Sequence, residues 1–184
     1  ALGRDAKALQ GLLAQLRAAA ARAARDAARA KARTDADPAR RADAGKRRPT
    51  VASAPPLRVG GLGWPVSGNL LASFGGRLPD GRRSDGVLIA APAGATIKAV
   101  ADGTVVFADW MTGYGNILII DHGNGYMSLY AHNDGLLRDA GDTVKRGDTV
   151  ASVGTSGGQD SPALYFELRR NGSPVNPAGW LTRQ

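Results

Sequence analysis

Two histidines, His122 and His132, are the only imidazoles in the 184 residues, and cysteine is absent. His122 sits in Asp121-His122-Gly123-Asn124-Gly125-Tyr126, and His132 closes Tyr130-Ala131-His132. Two other strings carry chemically useful types: Ser84-Asp85-Gly86-Val87-Leu88, and Ala163-Leu164-Tyr165-Phe166-Glu167-Leu168-Arg169. A hydrolytic zinc centre takes three protein ligands, imidazole or carboxylate, and keeps a fourth position for water. The metal brings the pKa of that water down toward ~7, so that hydroxide exists at neutral pH. Leucine and alanine have no lone pair to offer. A phenol with an ordinary pKa of about 10 is a poor substitute ligand.

Short strands must hold these residues. Apolar, β-branched runs occur at 87–90, 97–100, 104–108, 117–121, 127–132, 149–153 and 164–169, each bounded by Gly, Asn or Asp. They predict a mainly β domain over residues 64 to 184, an antiparallel sheet or sandwich with enough Val, Ile and Leu for a core. Lys145-Arg146-Gly147-Asp148 is similar to a lipoyl-type turn, but no lysine sits at a hairpin tip in the usual lipoyl setting.

The N-terminal stretch has another texture. Leu2, Leu9 and Leu16 are seven apart, and Leu13 with Ala20 and Ala27 fills the intervening positions. Alternating steps of three and four put them on one helical stripe, the seam of a coiled coil. Residues 1 to 33 are therefore expected to form a helical arm. Residues 34 to 63, rich in Pro and Gly without periodicity, read as a flexible linker. Residues 1–50 hold 13 Lys/Arg and 5 Asp/Glu, and residues 51–184 hold 11 of each, so all of the net +8 belongs to the N-terminal part. No aromatic residue precedes Trp64, so that basic stretch lacks a stacking platform for bases, and nucleic acid is not expected as a partner. No apolar run approaches the ~20 residues of a membrane span.

The strings over roughly residues 64 to 182 resemble the lysostaphin/LytM family of peptidoglycan endopeptidases. The family pattern H-x-G-x-D aligns on Gly86 and Ala91-Pro92, placing its ligand His at Ser84 and its ligand Asp at Leu88. H-x-H-F-E-hydrophobic-R aligns on Ala163 to Arg169, with Ala163 at a catalytic histidine and Tyr165 at the third ligand. Gly113-Tyr114-Gly115-Asn116, Asp121-His122-Gly123 and Val144-Lys145-Arg146-Gly147-Asp148 fit further blocks. His132 matches a catalytic, non-ligand histidine. His122 is expected in a hairpin turn away from the ligand positions, and Asp85 as a solvated turn residue. The resemblance thus implies no metal, no cofactor and no catalysis.

Within the family the likeness is to its metal-less branch, the EnvC-like activators of cell-wall amidases. It rests on Ala108-Asp109-Trp110, Met127-Ser128-Leu129-Tyr130, Ser156-Gly157-Gly158-Gln159 and Val175-Asn176-Pro177. That branch implies a groove holding the regulatory helix of an N-acetylmuramoyl-L-alanine amidase, lined by Leu88, Tyr114, Tyr130, His132, Tyr165 and Arg169. It further implies a periplasmic location and a divisome membrane partner of the FtsEX type. A helix near the coiled coil can lie over such a groove and block it; a helix that merely tethers the domain fits the stripe equally well. A non-catalytic peptidoglycan-binding module is the second reading, and a residual zinc endopeptidase the third.

Overall fold

A computed structural model describes residues 2–36, 61–79 and 81–181, with the arm's side chains described for 5–23 and 25–32. Of the expected linker, residues 37 to 60 lie outside the described residues. The arm is one α-helix, α1 (Leu2–Ala36), running three residues past the expected 33. Alanine, the strongest helix former, fills most of its length.

Ten strands follow: β1 (Leu70–Ala72), β2 (Val87–Ala90), β3 (Thr96–Lys98), β4 (Gly103–Met111), β5 (Gly115–Gly123), β6 (Tyr126–Leu136), β7 (Thr143–Val144), β8 (Thr149–Val153), β9 (Ala163–Arg170) and β10 (Ser173–Val175). All pair antiparallel. The main sheet runs β1-β2-β9-β6-β5-β4-β7; β10 joins β9, and β8 links β6 to β3. The seven expected strands are present, β2 and β8 with the expected bounds and the other five with shifted ends. β1, β7 and β10 were not expected, being only two or three residues long.

The sheet is buried on both faces, which explains its near-continuous apolar strands. Alternation along β9 divides the core: Leu164, Phe166 and Leu168 join a cluster with Val87, Ile89, Leu118, Ile120 and Tyr130. Ala163 and Tyr165 point the other way, into a cluster with Leu88, Ile117, Ile119, Met127, Leu129 and Ala131. Leu9 and Leu13 of α1 belong to this second cluster, and each is 0% exposed. The helix therefore covers the second face, with Leu9 and Leu13 buried against the sheet. Leu12 and Leu16 pack partly buried on the same cluster.

Candidate functional site

Strand register brings the degenerate motif positions side by side. Leu88 on β2 pairs with Tyr165 on β9, and Tyr165 is flanked on its other side by Ala131 of β6. Ala163 lies two residues from Tyr165 on the same face, fully buried. Ser84 is also fully buried, and its Oγ donates to the Gly86 carbonyl at 2.7 Å. These four residues do not suit zinc. Leu88 and Ala163 are hydrocarbon, the Ser84 hydroxyl is committed to its own turn, and the Tyr165 hydroxyl donates to Glu167 Oε2 at 2.6 Å. Burial raises the Tyr165 phenol well above its ordinary pKa, and the Glu167 charge and hydrogen bond add to this, so it does not ionise at physiological pH. Among the described residues, no three His, Cys, Asp or Glu side chains are grouped to hold a metal ion.

An internal polar chain lies beneath the groove. Arg169 Nε donates to Glu167 Oε1 at 2.6 Å, and Nη2 approaches the same oxygen at 2.6 Å. Asp85, its side chain still 37% exposed, stands 3.9 Å from Nη2. Burial pushes the Glu167 carboxyl upward; the Arg169 charge and the two hydrogen bonds from Tyr165 and Arg169 oppose it. This pairing lets Glu167, 1% exposed, remain in a fully covered place.

The helix reaches the same chain. Arg169 Nη1 donates to Gln10 Oε1 and to the Gly172 carbonyl, each at 3.1 Å. At the helix start, Asp5 occupies the space a Cβ on Gly113 would need, and Gly113 has φ +86°. Glycine there serves both the turn between β4 and β5 and the close approach of the arm. The side chain of Arg17, twelve residues on, lies against Gly172 in the turn between β9 and β10. At 1.5 Å per residue the stretch of α1 from Asp5 to Arg17 spans roughly 18 Å.

Tyr114 and His132 complete one wall. The Tyr114 ring is 6.2 Å from that of Tyr165, and Arg82 stacks 5.3 Å above it while donating to the Gly113 carbonyl at 3.1 Å. Burial raises the Tyr114 pKa first, with the Glu167 charge adding and the Arg82 and Arg169 charges opposing. His132 lies 6.3 Å from Tyr165, ring to ring, and its Nδ1–H donates to the Ser156 carbonyl at 2.7 Å. Its φ of +63° departs from the β6 pleat, and it is 5% exposed.

Five of the six expected groove residues, Leu88, Tyr114, His132, Tyr165 and Arg169, thus gather on one face. Tyr130 does not. It is one residue from Ala131 on β6, so the pleat turns it to the opposite face, where it packs 5.3 Å from Phe166. There its hydroxyl accepts from the Val100 N–H at 3.1 Å and meets Ser128 Oγ at 2.9 Å. His122 also differs from expectation. It lies within β5, 1% exposed, with Nδ1 on the Asp102 carbonyl at 2.7 Å and Nε2 on Ser128 Oγ at 2.6 Å. Gln10 and Asp5 were not anticipated; only the leucine stripe beside them signals a buried face.

Fold and site together define a lysostaphin-type scaffold in which the positions aligned with the family's zinc ligands hold Ser84, Leu88 and Tyr165. Residues 82–177 match the model of Peptidase family M23, and the chain belongs to that family. The Murein hydrolase activator EnvC of Escherichia coli (strain K12) is 47% identical over 133 residues, covering 68% of this chain and 32% of that protein. The Murein hydrolase activator NlpD of the same strain is 39% identical over 122 residues, 66% of this chain and 31% of that one. The chain thus spans about a third of the length of these relatives. Among solved structures, a putative peptidase M23 from Pseudomonas aeruginosa superposes with TM-score 0.60 at 28% identity, covering 76% of this chain and 58% of that one. The catalytic domain of lysostaphin from Staphylococcus simulans gives 0.55 at 25%, covering 60% and 89%. No described helix is long and apolar enough to cross a membrane.

Proposed function

We propose that this chain is a non-catalytic, periplasmic activator of N-acetylmuramoyl-L-alanine amidases in septal peptidoglycan splitting. Its groove, walled by Leu88, Tyr114, His132, Tyr165 and Arg169, captures the amidase's regulatory helix and withdraws it from the amidase's own active site. The observation that carries this reading is the seat of α1: an amphipathic helix rests on the former metal positions with Leu9 and Leu13 at 0% exposure. A surface that accepts one such helix suits another by the same physics, an apolar stripe laid into an apolar groove. The arm then acts as a restraint in cis. It competes with the amidase helix, and a membrane partner of the FtsEX type releases it. Activation is a population shift, limited by the difference in free energy between the two occupied states. The names of the EnvC and NlpD relatives agree with this role.

The test is release of dye-labelled peptidoglycan by a purified amidase of the same envelope. The chain alone should release nothing. With its arm loosened by Leu9→Glu and Leu13→Glu, it should stimulate the amidase, and a further Leu88→Glu should abolish the effect while circular dichroism stays unchanged. Dye released by the chain without amidase would refute the reading, as would stimulation that Leu88→Glu leaves intact.

A further inference from the structure

The arm does not fill its seat. A cleft of about 300 Å³ opens beside α1, lined by Ala6 of the helix and by Leu78, Tyr114, Tyr165, Arg82, Arg83 and Asp85 of the domain. Ala6 lies seven residues before Leu13, on the same stripe as Leu2, Leu9, Leu13 and Leu16. Leu9 and Leu13 are fully buried, yet Ala6 is exposed. The cleft's inner walls are apolar and covered: Tyr165 is 3% exposed, Tyr114 4% and Leu78 9%. Its charged residues are Arg82, Arg83 and Asp85. The methyl group at position 6 therefore leaves unfilled a cleft whose covered walls are Leu78, Tyr114 and Tyr165.

We propose that the arm is an under-packed placeholder, and that the partner helix to which it yields puts a large apolar side chain into the Ala6 cleft. In the arm's register that helix reads large-x-x-Leu-x-x-x-Leu, the first position being three residues before the first buried leucine. This rests on the reading of the groove as a helix-capturing site, and it adds the side chain that lets a partner win. An equally well-packed arm would hold the groove shut against any helix of similar stripe. A single missing side chain sets the difference, because local tethering already favours the arm.

The inference predicts a gain. In the full chain, Ala6→Leu adds three carbons to the seam, and the cleft walls bury them in part. Hydrogen exchange of arm amides 5–17 should slow about tenfold, the equivalent of about 1.4 kcal/mol. Ala18→Leu, on the exposed face of the helix away from the Leu9 and Leu13 stripe, should leave exchange nearly unchanged and so controls for helix propensity. In a second measurement, labelled peptides of residues 2–20 are titrated onto the chain carrying Leu9→Glu and Leu13→Glu. The Ala6→Leu peptide should bind about tenfold tighter than the native sequence. Unchanged or faster exchange with Ala6→Leu, or a weaker peptide, would overturn the proposal. Neither assay contains an amidase. Tighter docking by Ala6→Leu together with no response from any amidase would leave this inference standing and remove the activator role.

Discussion

Replacing Leu13 with alanine isolates the packing of the arm, because alanine is at least as good a helix former and α1 itself is not weakened. Leu13 is 0% exposed in the cluster that includes Leu88, Tyr114 and Tyr165. Removing three buried carbons at ~0.8 kcal/mol each costs about 2.5 kcal/mol. A rigid core would add a cavity term, but a helix at the edge of a domain can settle into part of the space, so the lower figure applies. The closed-to-open ratio of the arm should fall roughly sixtyfold. Hydrogen exchange followed by mass spectrometry reads this directly. Amides of residues 5–17 should accelerate by that factor, while those of β6 and β9 keep their protection. In the dye-release assay the same variant should stimulate the amidase more than the parent chain does. Equal acceleration of arm and sheet amides would refute the reasoning, since Leu13 would then belong to one cooperative core and not to a detachable restraint. So would an arm whose exchange does not change.

Tyr165→Phe removes the hydroxyl that donates to Glu167 at 2.6 Å and leaves a buried carboxylate oxygen short of a donor; urea unfolding should show a loss of about 2 kcal/mol. His122 supplies a pH dependence. Burial lowers its pKa from 6.5 to about 4, so below pH 6.5 the unfolded chain binds a proton that the folded chain refuses. Its contribution to stability is complete above 6.5 and falls by about 3 kcal/mol as pH drops to 4. Asp121 and Glu167, both raised by burial, act in the opposite sense near the ordinary carboxylate range. The His122 slope should therefore be cleanest between pH 6.5 and 5, and urea midpoints across that window should flatten in His122→Gln.

The residue pattern disclosed much of this site. Period-two alternation in Leu164-Tyr165-Phe166-Glu167-Leu168-Arg169 separates the core face from the groove face before any coordinates are considered. The frame of Gly86 and Ala91-Pro92 aligns Leu88 with a family ligand position, and the strand register then sets it opposite Tyr165. Tyr130 escaped because a tyrosine between two apolar neighbours reads the same on either face. Its hydroxyl partners are Ser128, two residues back on β6, and the Val100 N–H, which comes from thirty residues upstream in the bend after β3. His122 escaped for a similar reason: a buried imidazole needs two partners, and the Asp102 carbonyl comes from twenty residues upstream. β1, β7 and β10 are too short for periodicity to register. The arm's stripe declared that one face of α1 is covered, but a heptad pattern does not say whether a second helix or a sheet covers it. The Ala6 cleft lay wholly beyond the sequence, because one alanine among many becomes a vacancy only once the opposing walls are known.

The central claim is that the groove under α1 is the seat of an amidase helix. Its most direct test is fluorescence anisotropy with a labelled peptide of the regulatory helix from an amidase of the same envelope. The peptide is titrated with three forms: the native chain, the chain with Leu9→Glu and Leu13→Glu, and that chain with Leu88→Glu added. The account predicts saturable binding to the arm-released form, weaker binding to the native chain and none once Leu88 is replaced. Equal binding to all three forms, or none to the arm-released form, would contradict it.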